Sequence, residues 1–518
     1  MKRTLGFDAA KAGPKAGGLR QGGLSRGRAY TPFWIEFEPL EIGGNGRHRG
    51  IQGDALGDFG VISGPPEEGC NGGETMSDVA EQSGVAGRSA LDRYFHITER
   101  GSNVRTEVVA GLTTFLTMAY IIFVNPKILS ATGMPANSVF VATCLAAFLS
   151  TMVMALYARY PIALAPGMGL NAFFAFTVVG SMHFTWQQGL ACVLVSGILA
   201  LVISVLPIRA WLINAIPKSL KLATSAGIGF FLGIIALEQS GVIVDSPATL
   251  VTHGNLASAA PLLALLGFVF IAALNQLRVP GATIIGILAV TLLGIPFGVA
   301  QIEGIASMPP SLTPTLFAFD FSLAAEGTFW VVALTMFFVD FFDTAGTLVG
   351  VLHRGRLLDE QGRLPNLRET LVADSSGTAI GALLGTSNTT SYIESAAGVQ
   401  AGARTGLASV VTAVCFLLAL FFSPLAGSIP AYATAAALLF VAIVMAQGLA
   451  EVDWSDLTEA APAAIAAIIM PLTYSVAMGL GFGFITYFLL KLLTGRFSEL
   501  TPPVILLAAI FAIMLPII

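Results

Sequence analysis

Two aspartates, Asp340 and Asp343, stand in the run Phe337-Phe-Val-Asp-Phe-Phe-Asp-Thr-Ala-Gly-Thr-Leu-Val-Gly350, which is otherwise apolar and has no Lys or Arg close in sequence. Spaced three apart, they share one face of a helix, and Gly346, Thr347 and Gly350 continue that face from Asp343 as a small, polar strip. Two further acids lie in apolar surroundings. Asp374 sits within Ala373-Asp-Ser-Ser-Gly-Thr378, and Glu394 lies one turn beyond a Thr/Ser/Asn run that contains Thr390. A charged carboxylate at a bilayer centre costs about 2.5–3.5 kcal/mol on insertion scales, so such acids are expected to face a bundle interior or a wet cavity and to be linked to a proton or a ligand.

The chemistry these groups suit is recognition of a neutral, planar heterocycle rich in N–H donors. A carboxylate accepts two N–H bonds side by side, Thr hydroxyls such as those of Thr347 and Thr390 match the remaining edges, and aromatic rings cover a face. Low dielectric disfavours the ionised form of an acid, so the same groups can load and release a proton as access alternates between the two sides. Acids without a basic partner therefore favour proton coupling over anion transport. The plainer reading, acids bonded to neighbouring helices for assembly alone, weighs more on Asp340 and Asp374 than on Asp343 and Glu394. Glu238, near a span end, reads as interfacial.

The chain that holds these acids is built for a membrane. Of 518 residues 55% are apolar and only 11% charged, against about 25% charged in a soluble domain. Apolar runs long enough for a bilayer core recur from about Thr106 to Ile518. Breaks at Pro, Gly and charged clusters predict fourteen spans near 106–125, 138–158, 162–180, 187–206, 218–240, 258–275, 281–299, 327–352, 370–384, 388–401, 405–422, 431–448, 458–475 and 477–493. The apolar stretch 502–517 is open between a further span and an interfacial helix. Loop charges support the count. Arg159, Arg209, Lys218, Lys221, Arg278, Arg354, Arg356, Arg363, Arg368, Arg404, Lys491 and Arg496 fall on one side and only Lys127 on the other. Lys and Arg collect on the cytoplasmic side, and Arg88, Arg93, Arg100 and Arg105 before the first span put the N-terminus on that same side, so it is expected in the cytoplasm of a cell whose inner membrane carries the protein.

Two spans are broken. The third reads Tyr160-Pro-Ile-Ala-Leu-Ala-Pro-Gly-Met-Gly-Leu-Asn-Ala-Phe-Phe174, with Pro166, Gly167 and Gly169 at mid-segment; the tenth reads Gly385-Thr-Ser-Asn-Thr-Thr-Ser-Tyr-Ile-Glu-Ser-Ala-Ala-Gly398. They stand seven positions apart, so two sevenfold halves would make them equivalent, and an odd number of spans per half makes the halves inverted. Interrupted spans at matching positions point to a midplane binding site in a carrier, where a channel needs no occluding half-helices. An intramembrane enzyme would need a nucleophile–base pair or a metal cluster. The histidines, His48, His96, His183, His253 and His353, do not lie well inside spans, and Cys70, Cys144, Cys192 and Cys415 lack metal-ligand spacing. No metal, cofactor or nucleic-acid partner is expected.

The first 75 residues differ in kind: rich in Gly and Arg, poor in long apolar runs and without a signal-peptide core. Residues 1–90 read as a disordered leader, with 1–75 untranslated in the native protein if synthesis starts at Met76. Gly72-Gly73-Glu74-Thr75 can be encoded by a purine run of the GGAGGAGA type, which resembles a ribosome-binding site.

Several motifs together resemble the AzgA-like adenine, guanine and hypoxanthine permeases of the second nucleobase–cation symporter family, within the xanthine/uracil permease superfamily. They are Arg105-Thr-Glu-Val-Val-Ala-Gly-Leu-Thr-Thr-Phe-Leu-Thr-Met-Ala-Tyr-Ile-Ile-Phe-Val-Asn-Pro126, Ala165-Pro-Gly-Met-Gly-Leu-Asn-Ala172, Val339-Asp-Phe-Phe-Asp-Thr-Ala-Gly-Thr347, Gly385 to Gly398 as quoted above, and Arg404-Thr-Gly-Leu407. The resemblance covers about residues 90–515; the 1–75 leader and the Asn388-Thr389 pair depart from the family pattern. It implies an all-α polytopic fold of two inverted seven-span repeats, with a short strand before a half-helix in spans three and ten. A core domain would comprise 91–210 and 326–424, and a gate domain, which often serves in dimerisation, 211–325 and 425–518. By the same resemblance Asp343 and Glu394 match the substrate-binding acids, Asn171 and Phe173 lie near the third-span half-helix, and Asn125, Asp340 and Asp374 serve as polar support or proton relay. The expected activity is import of a purine nucleobase with protons by elevator-like movement, with a homodimer through the gate. Another solute on the same fold, xanthine, uracil or an anion, is the alternative. An anion carrier of the related sulfate-transporter architecture would want a basic residue at the half-helix mouth, for which Arg404 is the nearby candidate.

Overall fold

In a bilayer core no water competes for the backbone, so a chain that crosses it must pair its own N–H and C=O groups, which long Leu, Ala, Val and Phe runs do as helices. The computed structural model describes residues 89–206, 216–247, 249–355, 357 and 366–514. Residues 1–88 of the expected leader, the Met76 start, and Arg209, Arg356 and Arg363 of the basic loops lie outside these residues, as do the surroundings of Gly346, Gly350 and Arg354; the last two residues expected in the leader instead open the helix Ala90–Phe95, capped by Ser89.

Among the described residues nine helices are long and apolar enough to cross a membrane: Val104–Ser130, Ala136–Ala158, Trp186–Val205, Lys218–Gln239, Ala259–Gln276, the Gly327–Ala345 part of Gly327–Gly355, Gly406–Ser428, Ala431–Glu451 and Val476–Leu493. Five shorter or more polar units complete the expected fourteen. They are Met168–Ser181, Ala282–Gly294, Leu367–Leu384, Ser395–Gln400 and Leu457–Thr473. Local chemistry sets their ends. The fourth span, Trp186–Val205, opens on a capping box in which Thr185 accepts from the Gln188 N–H and the Gln188 side chain accepts from the Thr185 N–H. The first span runs past the expected end at Asn125 to Ser130, with its regular helix interrupted at Ala119–Tyr120.

Each broken span does contain a strand: β1 (Leu164–Pro166) in the third and β4 (Thr389–Ser391) in the tenth. They pair antiparallel, with Leu164 opposite Ser391, Ala165 opposite Thr390 and Pro166 opposite Thr389. Outside the bundle, strands β2 (Ile243–Ser246) and β3 (Leu250–His253) form an exposed hairpin between the fifth and sixth spans, which span-by-span hydropathy did not anticipate. Its Ile-Val and Leu-Val-Thr content favours extended backbone once the chain has left the apolar core.

The helices pack in two sets. In one, the ninth span lies on the fourth and second, the eleventh on the first and second, and the eighth on the fourth; in the other, the fifth lies on the twelfth and thirteenth, the thirteenth on the fourteenth, and the sixth on the seventh and twelfth. Small residues permit the close approaches. A methyl group placed on Gly381 of the ninth span would come 2.8 Å from the Ser387 carbonyl oxygen, so the polypeptide entering β4 lies directly on that helix. The segment linking the seventh and eighth spans rests on the first set: Ser138 donates to the Ser311 carbonyl (2.9 Å), the Phe317 N–H to Leu383 (2.9 Å), and Thr315 to Leu384 (3.1 Å).

Between the sets, Phe342 of the eighth span stacks on Phe484 of the fourteenth (5.6 Å between centroids), and Phe484 stacks on Phe511 (5.8 Å). Phe511 belongs to the terminal helix Pro502–Met514, whose rise of about 20 Å is less than the about 30 Å of a bilayer core.

Candidate functional site

The β1–β4 crossing puts sheet edges in the middle of a helical bundle, where an unpaired backbone group is costly. Side chains fill the role of the missing neighbouring strands. The Thr151 hydroxyl bonds both the N–H (2.9 Å) and the carbonyl (3.0 Å) of Leu164. The Ala163 N–H donates to Ser395 Oγ (3.0 Å), Thr378 Oγ1 donates to the Thr389 carbonyl (3.1 Å), and the Tyr392 hydroxyl donates to the Pro166 carbonyl (2.5 Å). Backbone bonds from Gly167 to the Asn388 carbonyl (2.8 Å) and from Tyr392 to the Ala163 carbonyl (2.9 Å) extend the pairing by one step at each end. Thr151 of the second span, Thr378 of the ninth and Ser395 of the tenth thus hold irregular backbone at membrane depth.

Burial and bonding sort the four acids. Asp374 is fully buried; its Oδ1 accepts from the Ser391 N–H (2.9 Å) and hydroxyl (2.8 Å), and its Oδ2 accepts from Thr344 Oγ1 (2.7 Å). It anchors β4 to the eighth and ninth spans. Asp340, also buried, lies with its Oδ2 3.0 Å from Thr378 Oγ1, so the single proton of that hydroxyl is shared between this carboxylate and the Thr389 carbonyl. Asp343 and Glu394 are different, being only half-buried. Asp343 makes no hydrogen bond to another described residue and stands within electrostatic reach of Asp374 and Glu394. Glu394 is the residue just before the half-helix Ser395–Gln400, and its Oε1 accepts from the Tyr120 hydroxyl at 2.5 Å. Neither carboxylate has a Lys, Arg or His partner among the described residues. Two half-buried acids from the eighth and tenth spans, both in the second half of the chain, thus converge beside the strand crossing, each with acceptor capacity left over.

The remaining candidates are less uniform in placement. Thr390 is buried and its hydroxyl lies 2.9 Å from that of Thr344, within the Asp374 network. Thr347, on the Asp343 face, is 7% exposed. The Asn171 amide donates to Asn125 Oδ1 (2.8 Å), and the Asn125 amide donates to Thr143 and Thr386 (both 2.8 Å), so these two asparagines tie the third-span half-helix to the first, second and tenth segments. Asn171 Oδ1 is buried and has no hydrogen-bond partner among the described residues. Phe173 is buried at the start of the π-helical continuation Phe173–Ser181. Sequence reasoning missed Tyr120, Tyr392, Thr344 and Thr378 as members of the site. Tyr120 lies 274 residues from Glu394, a separation that periodicity cannot bridge. No three His, Cys, Asp or Glu side chains among the described residues are placed to hold a metal ion.

Comparison with known proteins adds to this geometry. Residues 105–482 match the family Xan_ur_permease, described as a permease family. The adenine permease AdeP of Escherichia coli (strain K12) is 44% identical over 431 residues, covering 82% of this chain and 96% of that protein. The guanine/hypoxanthine permease PbuG of Bacillus subtilis (strain 168) is 44% identical over 434 residues, covering 80% of this chain and 96% of that protein. Among solved structures, the transmembrane domain of a cyanobacterium bicarbonate transporter, BicA, aligns with a TM-score of 0.58 at 17% identity over 73% of this chain and 96% of that one, a likeness of fold.

Proposed function

The chain belongs to the Xan_ur_permease family of multi-pass membrane permeases, and from that premise we propose that it imports purine nucleobases, adenine, guanine or hypoxanthine, by proton symport across the cytoplasmic membrane. The observation that carries the reading is the pair of half-buried carboxylates, Asp343 and Glu394, meeting beside the β1–β4 crossing without a basic partner among the described residues. A purine presents several N–H donors along one plane, and two carboxylates, one from the eighth span and one from the tenth, can grip two of its edges. An anionic solute would meet repulsion from the same groups.

In this reading Asp343 and Glu394 bind the base, Asn171, Phe173, Thr347 and Thr390 shape the pocket, and Asp340, Asp374 and Asn125 supply polar support or relay protons. The core domain comprises 91–210 and 326–424, and the gate 211–325 and 425–518. The core carries the site past the gate in an elevator-like movement, the gate supports a homodimer, and the N-terminus is cytoplasmic. Packing of the spans into two sets, joined at an aromatic seam, supports such a division. Uptake of labelled adenine, guanine, hypoxanthine, xanthine and uracil tests the proposal, measured with and without a protonophore in cells lacking their own purine permeases. Purine uptake that collapses with the protonophore is expected, together with its loss in Asp343→Asn and Glu394→Gln at normal membrane abundance. Well-expressed protein without purine uptake, or near-normal transport by both variants, would overturn the assignment.

A further inference from the structure

The half-helix that carries Glu394 is only six residues long, Ser395–Gln400, too short to be stable by its own propensity. Something must hold it in place. At its far end the Arg404 guanidinium donates through Nη1 to the Val399 carbonyl (2.8 Å) and the Ala403 carbonyl (2.7 Å), placing a positive charge where a helix end is negative. The turn Arg404-Thr405 then leads into the eleventh span, and its two backbone N–H groups meet a buried acid. The Glu107 carboxylate of the first span, 0% exposed, accepts from the Arg404 N–H (2.9 Å) and the Thr405 N–H (3.3 Å). Arg100, just before the first span, donates to the Arg404 carbonyl (3.3 Å) and the Arg159 carbonyl (2.9 Å). Along the half-helix the fit is tight, since a methyl group on Gly398 would come 2.8 Å from the Ala110 carbonyl oxygen.

The first span therefore grips the half-helix at both ends. Tyr120 meets Glu394 at one end, and Glu107, about 20 Å away along the helix, holds the turn at the other. We infer that Glu107 and Arg404 are positioning residues: they clamp the Glu394 half-helix to the first span, so that the Glu394 carboxylate keeps its alignment with Tyr120 and hence with the substrate as the protein moves. The inference rests on the reading of Glu394 as a substrate acid. Neither residue reaches the site itself; both act through the backbone of the turn. A clamp of this kind predicts an affinity defect, whereas a purely structural role predicts less folded protein with unaltered affinity.

The test uses the full chain purified and reconstituted in liposomes, with Glu107→Gln, Arg404→Gln, Arg404→Lys and the Glu107→Gln/Arg404→Gln double variant. Equilibrium binding and initial uptake of radiolabelled adenine, guanine and hypoxanthine are measured per folded molecule. Both Gln variants are expected to raise Kd and KM about tenfold, the scale of one lost charge-assisted hydrogen bond, with Vmax within about twofold. Arg404→Lys should recover most of the affinity, because its ammonium still reaches a carbonyl at the helix end, and the double variant should be no weaker than the worse single one. Unchanged Kd in folded Gln variants, or two defects that multiply, would overturn the clamp. If Glu107→Gln does not fold, the contrast between Arg404→Gln and Arg404→Lys decides alone. Glu394→Gln run alongside separates the two ideas: normal purine binding by that variant removes Glu394 from the site, while lost binding there with normal Glu107→Gln and Arg404→Gln removes the clamp only.

Discussion

Replacing Asp374 tests whether the acids divide by bonding as the structure divides them. In Asp374→Ala the Ser391 N–H loses its acceptor inside the bundle, at a cost of about 1–3 kcal/mol for the unpaired group. The hydroxyls of Ser391 and Thr344 lose charge-assisted bonds of 2.8 and 2.7 Å as well, although Thr344 can turn to Thr390 Oγ1 at 2.9 Å. With the vacated volume the total is on the order of 3–5 kcal/mol, concentrated on the strand that precedes Glu394. Asp374→Asn is far milder. Its amide oxygen still accepts from Ser391, its NH2 meets the Thr344 hydroxyl, and that hydroxyl passes its own proton to Thr390, for a net loss of about 1–2 kcal/mol. Melting of purified protein and purine uptake per folded molecule are the assays. Asp374→Ala should give little folded protein, and Asp374→Asn should fold and keep uptake within about tenfold of wild type. Asp343→Asn should fold and transport nothing. Loss of transport in well-folded Asp374→Asn, or unaltered melting of Asp374→Ala, would refute the assignment of Asp374 to support.

Tyr120→Phe removes the donor to Glu394 without changing volume much, and KM should rise about 10- to 100-fold; uptake kinetics showing an unchanged KM would exclude Tyr120 from orienting that acid. Gly381→Ala drives a methyl group to 2.8 Å from the Ser387 carbonyl, so β4 must shift, at about 1–3 kcal/mol; a variant with wild-type melting and uptake would show that the strand does not rest on the ninth span. At the basic face, the hydrogen bond from Arg496 to Asp456, which caps the thirteenth span, holds its carboxyl down to about 2. A depressed folded-state value stabilises above the unfolded value of about 3.9 and is lost as pH falls through the folded one. Asp456→Asn should therefore melt below wild type at pH 7, with the gap closing between about pH 4 and about pH 2; a gap independent of pH would contradict it.

How far the sequence alone could reach varies element by element. Span existence follows from hydropathy and loop charge because the bilayer leaves helices as the one local solution for an isolated apolar run, and the fourteen segments emerge within a few residues of where breaks and charges put them. Asp343 and Glu394 stood out because an acid in an apolar run is expensive wherever it ends up. The interruptions at Pro166 and Gly385 were equally plain, being properties of single residues and their neighbours.

Only the tertiary structure decided what those breaks become. That Pro166 lies opposite Thr389, that Thr151 and Thr378 stand in for absent strands, and that Asp374 is saturated by donors while Asp343 is not are all facts of pairing between segments distant in the chain. Tyr120 and Glu107 show the limit most clearly. Both sit in the first span, Glu107 in its first turn and Tyr120 at its interruption, with nothing in their spacing to mark them, and each gains its role from a partner more than 270 residues away. Hydropathy is read from each residue with its neighbours, so a single sequence carries it openly. A hydrogen bond across a bundle depends on which helices pack together, and that is settled by the sum of many weak contacts that no local pattern records.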